Sequence, residues 1–503
     1  MALEFIQAKN ASKSAKANGV TLHSSYNPQV EGERFAQSLS LDFIPKYVII
    51  VEGALSYCAP FIKKRFPNAK VGTIRFTTGF SECDKEWDFC LSLKEKGAPP
   101  LCDRLFDLMG EEGLFQSAFF DWKPSAAAWP EESTAAWAQI KSAIQKAKTV
   151  LGTREYFGKR WLKNKLLFFK RLQKPLCIKP IEKPVLVCAS GPSLEGALES
   201  IKTVREKIFV CALSSSVSVF ANNNIEPDLI LSADGGWWAK KHLDPLRKNF
   251  KNVPLALEPE AACPSTLLSQ KEILPLCYDD DQLSQKLFDA LGAKALPARR
   301  NGTVSGSALK LFLALCGSEI FFAGLDLSPS KNKSHALPNV LETERDARDC
   351  RLRTKATRQA AAALPSESLM IYEAWFKSFD LAGRKVYRIK GDENFSNALG
   401  QIQDISASDF EGHCSKPDGA QKTLFFEPQN NFCKPLGSND KRRRVIKDTF
   451  IEWSGSENFC QEMFPADYIM LKRAANDKDR QERESAIERK KSKLLLELFG
   501  GQE

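Results

Sequence analysis

Short apolar runs that stop at small or polar residues recur through the middle of the chain, at residues 185–189, 208–212, 229–233, 255–258 and 319–325. Each is the length of a strand, and helical spacing fills most of the gaps between them. Alternation of this kind predicts a parallel sheet covered by helices, with ligands outside the carboxyl ends of the strands. Residues 306–315, GSALKLFLAL, are apolar nearly all round and predict a helix packed in the middle. Upstream, KYVIIV (46–51) and AKVGTIRF (69–76) read as buried strands on either side of a helical stretch ending near Phe66. Gly53, after the first of these, marks either a second ligand-binding turn or a plain strand-to-helix turn.

From residue 131 the period changes. Trp137, Ile140, Ile144 and Leu151 share a helical face, and a second helix is predicted over 154–172 before Pro175, Pro180 and Pro184 interrupt the pattern. Beyond residue 405 the loops are uneven. Residues 467–499 are strongly helical and charged, with an apolar end at Leu494, Leu495, Leu496, Leu498 and Phe499 that is expected to dock on the chain's own core. The expected fold is therefore α/β: a central Rossmann-like parallel sheet at 181–405, an N-terminal α/β domain at 1–130, a helical connector at 131–180 and a mostly helical region at 406–503.

Composition narrows the class. The chain has 503 residues, 43% apolar and 27% charged, enough for several cores. No apolar run reaches the length of a membrane span and no hydrophobic leader opens the sequence, so a cytoplasmic protein is expected. The 14 cysteines form no C-x-x-C pair, which points to reduced thiols rather than a metal or disulfide framework. The formal charge of +10 is dispersed, apart from Lys441-Arg442-Arg443-Arg444 and the tail near Arg489, without the aromatic interleaving of a nucleic-acid binder. An anionic substrate, an acidic partner or a solvated surface all fit this balance.

Candidate chemistry collects where the predicted strands end. In VLVCASGPSLE (185–195), Ser190, Gly191, Pro192 and Ser193 join a strand to a helix, a place where backbone N–H groups and the helix dipole suit a phosphate. An ordinary strand-to-helix turn is the alternative. Ser214 and Ser215 follow the next strand, either as hydroxyl donors or as helix caps. Asp234 with Gly235 and Gly236 is placed to bind sugar hydroxyls or a metal-bound phosphate, or else closes a turn on its own backbone. Asn301, Thr303, Ser305 and Gly306 precede the buried helix, where they serve an anion, close packing, or both. Asp326 ends the strand EIFFAGL, and His335 lies in the loop that follows. A neutral imidazole there suits proton removal from a hydroxyl nucleophile, whereas a lone loop histidine is otherwise a surface residue.

Taken together, VLVCASGPSLE, EPDLILSADGG, and GTVSGSALKLFLALCGSEIFFAGLDLS followed by SHA resemble the motility accessory factors of bacteria, the Maf family, with its MptE-like domain. LHSSYNPQVEGERF, VEGALSY, FDWKPS and WLKNKLLFF extend the resemblance over most of residues 20–405. The first and third segments are also similar to bacterial sialyltransferases of Rossmann-like fold. The resemblance implies transfer of a sialic-acid-like nonulosonic acid, pseudaminic acid being one such sugar, from its CMP ester to Ser or Thr hydroxyls of flagellin. It implies that Gly191, Pro192 and Ser193 hold the nucleotide, that Thr303, Ser305 and Gly306 contact the sugar carboxylate or phosphate, and that Asp234 lies by the nucleotide or acceptor. No metal or cofactor is required on this reading, and Asp234 and His335 are the catalytic candidates. Two departures stand out: Ser190 replaces the sialyltransferase asparagine, and the later histidine segment of those enzymes has no counterpart. The competing expectations are a pterin-type pyrophosphokinase, with Asp234 and Asp326 holding Mg²⁺, and a non-enzymatic flagellin-binding accessory protein.

Overall fold

The computed structural model describes residues 3–95, 97–300, 302–328, 334–362, 366–390, 397–415, 425–430, 432 and 439–500. They form two compact units, Met1–Gly158 with Ser456–Glu503, and Lys159–Gly455. The α/β class expected from the alternating pattern is what the chain adopts. The division differs from the one read along the sequence. Residues 130 and 180 bracket a single helix, Pro130–Arg171, rather than two helices in a separate connector. Gly152 lies inside that helix, and its cost there, about 0.5–1 kcal/mol, is small against 42 residues of continuous backbone bonding. The C-terminal region also divides, at 455, instead of standing as one block.

In the first unit, β1 (Leu3–Gln7), β2 (Lys13–Ala17) and β3 (Val20–Thr21) make an antiparallel sheet. A second sheet of β4 (Tyr47–Val51), β5 (Lys70–Arg75), β6 (Phe89–Ser92) and β7 (Ser117–Asp121) is wholly parallel in the order β6-β5-β4-β7. Period-two alternation explains why every residue of β4 is buried. Val48 and Ile50 enter a core with Leu22, Ala59, Ile62 and Trp122, while Ile49 and Val51 enter another with Leu105, Ile140 and Ala143. The predicted helix over 467–499 is two helices, Pro465–Lys472 and Asp477–Phe499, because Asn476 caps the second by accepting from the Asp479 N–H at 2.9 Å. Its Ile487 and Leu494 are buried one heptad apart, as expected for docking within the chain, whereas Leu496 is exposed.

The second unit is built on an 11-stranded sheet. Its strands are β8 (Lys174–Ile178), β9 (Val185–Cys188), β10 (Phe209–Leu213), β11 (Leu229–Ser232), β12 (Leu255–Leu257), β13 (Glu272–Tyr278), β14 (Leu296–Ala298), β15 (Ile320–Ala323), β16 (Val386–Ile389), β17 (Gln403–Ile405) and β18 (Phe426–Pro428). The order is β17-β16-β15-β9-β10-β11-β12-β13-β8-β18, with β14 beside the end of β13, and only β18 runs antiparallel to its neighbour. Successive strands from β9 to β13 step one way, and β15 to β17 step the other. The reversal lies between β9 and β15, where a doubly wound sheet opens a crevice at its carboxyl edge. The core under this edge combines Val185, Val187, Phe209, Leu229 and Phe322 with Ala308, Leu309 and Phe312 of the helix Val304–Leu315. None of the described helices is long and apolar enough to cross a membrane.

Candidate active site

At the reversal point, the turn after β9 and the turn after β15 are locked together. The Gly191 N–H donates to Gly324 O at 2.9 Å. A Cβ on Gly191 would come within 2.5 Å of that oxygen and 2.6 Å of the Asp326 carboxylate, so only glycine fits. Gly324 has φ +70° and meets Ala189 O on its other side. Asp326 is buried, and its Oδ2 accepts from the Ser193 N–H at 3.0 Å while its Oδ1 accepts from the Ser193 hydroxyl. The N–H groups of Leu194 and Glu195 are bonded within the turn, to Gly191 O and Pro192 O.

Several N–H groups of the turn at Gly191–Ser193, where either a phosphate or an ordinary strand-to-helix turn is expected from the sequence, are bonded within the protein. The carboxyl group at the N-terminus of the helix Leu194–Val204 is the protein's own Asp326. Asp326 and Ser193 thus brace each other rather than offering free groups to a ligand. The bracing extends backward. Asn397 Nδ2 donates to Asp326 O and Leu327 O at 3.1 and 3.3 Å, and the fully buried Arg388 joins Leu325 O, Asn397 and Asp404. Ser190 keeps partial exposure at the mouth of this turn.

The loop carrying His335 closes over the same edge. Ala336 N donates to Ser190 O at 2.8 Å, and Leu337 N donates to Glu195 Oε1 at 2.8 Å. Asn339 caps the helix Val340–Arg348 and also donates to Ser215 O at 3.2 Å. His335 Nδ1 lies 3.0 Å from Oε1 of Glu342, one turn into that helix. Glu342 is buried, and its carboxylate is held below its ordinary range by the His335 hydrogen bond, then by the charges of Arg345 and Arg358, against the effect of burial. Arg358 Nη1 reaches Glu342 Oε2 at 2.9 Å and Arg345 Nη1 reaches Oε1 at 3.3 Å. Ser214, Ser215 and Ser216 form one 3₁₀ turn after β10, and none of them caps a helix with its side chain; Ser216 Oγ instead donates to Cys188 O at 2.8 Å, fastening β10 to β9.

Asp234 is exposed after β11 and accepts from the Gly236 N–H at 2.7 Å, so it does close its own turn. It also faces a polar rim. Burial pushes His242 down to about 4, with the His335 charge adding and Asp234 opposing. Burial raises the Tyr372 phenol, and the Asp234 charge adds to that. The Tyr372 ring lies against Gly302, which brings the fourth predicted loop to the same rim. Within that loop Thr303 caps its helix by accepting from Ser305 N at 3.3 Å, while Ser305 and Gly306 are buried. Asn301 lies outside the described residues. The edge thus unites Ser190, Ser215, Asp234, Gly302, Asp326 and His335, with Ser193 and Gly306 behind it.

Sequence reasoning missed His242, Tyr372 and Glu342 as neighbours of these groups. It also missed a buried ionic cluster beside the Asp234 turn. Asn164 of WLKNKLLFF donates to Gly235 O and Glu260 O at 3.3 and 2.7 Å. Lys165 bridges Glu260 and Asp281 at 3.0 and 2.9 Å, and Arg300 grips Glu260 at 2.6 and 2.8 Å. Burial alone would raise Glu260, but Lys165 and Arg300 hold it down at about 2. Glu258 is pushed well above the carboxylate range by burial and then by the Glu260 charge. Its two oxygens have no hydrogen-bond partner among the described residues, an environment that disfavours its charged form. No group of three or more His, Cys, Asp or Glu among the described residues could hold a metal ion.

Comparison with known proteins places the fold among solved and sequenced relatives. Residues 159–332 match the family described as 6-hydroxymethylpterin diphosphokinase MptE-like. An uncharacterised protein of Treponema pallidum (strain Nichols) is 29% identical over 314 residues, 61% of this chain and 67% of that protein. The Maf glycosyltransferase of Magnetospirillum magneticum AMB-1 superposes with a TM-score of 0.52 at 10% identity, covering 98% of this chain and 90% of its own. Residues 159–332 are thus similar to an MptE-like domain, as the motifs implied, and the fold is similar to that of a Maf glycosyltransferase.

Proposed function

We propose that the protein is a glycosyltransferase that moves a sialic-acid-like nonulosonic acid from its CMP ester to Ser or Thr hydroxyls of flagellin. The observation that carries this reading is the imidazole–carboxylate pair, His335 and Glu342, at the strand-reversal edge of a chain with a Maf glycosyltransferase fold. In the reaction the bond from the sugar's anomeric carbon to the phosphate oxygen breaks, and CMP leaves with the electron pair. The acceptor oxygen bonds to the same carbon, which passes through an oxocarbenium-like state. His335 takes the hydroxyl proton, while Asp234 and the serines of the 190 and 214–215 turns orient donor and acceptor hydroxyls. Because the sialyltransferase asparagine is replaced by Ser190, the hydroxyl of Ser190 is the group assigned to the nucleotide side.

The test is incubation of the purified protein with a CMP-nonulosonate and flagellin, following CMP release and the mass of flagellin. Release coupled to a flagellin mass increase, unaffected by a chelator, is the expected result. His335→Gln should lower kcat by about 10²–10⁴-fold, the usual worth of a general base. Failure to release CMP with intact protein overturns the reading. The family description favours a second reading, a diphosphokinase, in which Asp234 and Asp326 hold Mg²⁺. Asp326 has both oxygens engaged by Ser193, which argues against it. Consumption of ATP that depends strictly on Mg²⁺ would establish it instead.

A further inference from the structure

Resting on the transferase reading, we infer that Glu342 is a positioning residue: its carboxylate, clamped by Arg345 and Arg358, fixes the His335 ring so that Nδ1 carries the proton and Nε2 is the base. The contact is 3.0 Å between His335 Nδ1 and Glu342 Oε1. An ionised carboxylate accepts hydrogen bonds only, so Nδ1 must be the donor. Nε2 then keeps its lone pair, and it has no hydrogen-bond partner among the described residues.

The clamp keeps Glu342 in the form this requires. Arg358 joins Glu342 at 2.9 Å, and its other donors go to Asp346 and to Asp349, at 2.8 Å for the latter. The helix Lys355–Ala362 is thereby tied to the helix Val340–Arg348 at the level of the imidazole. The ring's other side is set by the loop itself, since Ala336 N is bonded to Ser190 O. The titratable and charged groups around the pair are His242, whose own titration His335 and Asp234 affect, Arg345 and Arg358 on the clamp, and Lys241, which pairs with Glu344 at 3.7 Å. A surface ion pair has no need of a buried carboxylate satisfied by three donors. Such an arrangement is how carboxylates orient catalytic imidazoles in other enzymes.

The experiment uses the full chain with ¹⁵N-labelled histidine. Only four histidines are present, so single substitutions assign the signals. The wild-type protein should show His335 as the Nδ1–H tautomer above its titration. Glu342→Gln should mix the tautomers, because an amide can donate to Nδ1 as well as accept from it. kcat should fall roughly 10–100-fold with KM nearly constant, and Glu342→Asp should restore part of it. Should Glu342→Gln not fold, Arg358→Gln loosens the clamp and should shift the same signals less. An unchanged tautomer in a folded variant overturns the proposal. The NMR readout needs no turnover, so the proposal stands or falls separately from the transferase reading.

Discussion

At the scale of single residues, Ser193 and Asp326 are joined twice, through the Ser193 N–H and through its hydroxyl. A buried carboxylate deprived of its donor loses about 1–3 kcal/mol or more. Ser193→Ala and Asp326→Asn should each lower the urea midpoint of that unit. The double variant should cost less than the sum of the two, because they share one interaction. Strict additivity would show that the pair is not coupled. His242 gives a pH-dependent counterpart. Its folded pKa of about 4 lies below the ordinary 6.5, so on acidification the unfolded chain takes up the proton first. Stability therefore falls as pH drops from about 6.5 toward 4, and it is constant above. His242→Gln should flatten that limb in a series of thermal midpoints, and an unaltered limb would assign it to other groups.

At the scale of elements, the edge of the sheet was readable because β9, β10, β11 and β15 are runs of Val, Leu, Ile and Phe with abrupt polar stops. Other strands gave weaker signals for identifiable reasons. Pro275 sits inside β13, where a missing N–H normally argues against a strand. Arg388 interrupts β16, and it is tolerated in the core only because Asp404 and Asn397 satisfy its guanidinium. Lys13–Ala17 is too polar to stand out, although Ser14 and Ala15 are fully buried. The candidate site was legible in its loops but not in its partners. Glu342 lies on a charged helix that reads as solvated surface, and Glu260 meets Lys165 and Arg300 only through folding. Nothing in the segment Gly191–Ser193 announces that Asp326, more than a hundred residues on, will accept from Ser193 there.

Glu258, at the end of β12, yields the element-scale prediction. Its folded carboxyl titrates well above the unfolded one, so its contribution is present at low pH and lost as pH rises through the folded value. Glu258→Gln retains the shape without the proton. The variant should gain stability relative to the wild type as pH climbs beyond the carboxylate range. A difference that does not change with pH would mean that Glu258 is ionised and paired.

At the scale of the whole molecule, every candidate residue falls within 159–455, whereas 456–503 cluster with the N-terminal residues. Tyr468, Ile469, Ile487 and Leu494 are buried in that first unit. Deleting 456–503 should therefore lower the unfolding transition of the N-terminal unit and leave ligand binding in place. On the proposed function, CMP at about 100 times its Kd should stabilise the truncated and full chains alike, by about 2.7 kcal/mol. Loss of that stabilisation on truncation would extend the site beyond 159–455.

The Asp326 carboxylate at the start of the helix Leu194–Val204 also bears on which nucleotides the crevice tolerates. It leaves the helix dipole already compensated, so an incoming polyphosphate meets repulsion where a phosphate-loop enzyme would offer attraction. A phosphodiester with a single charge meets far less of it. On the proposed function, a CMP ester should therefore outcompete ATP more strongly at low ionic strength than at high, and equal competition at both would remove Asp326 from the choice of nucleotide.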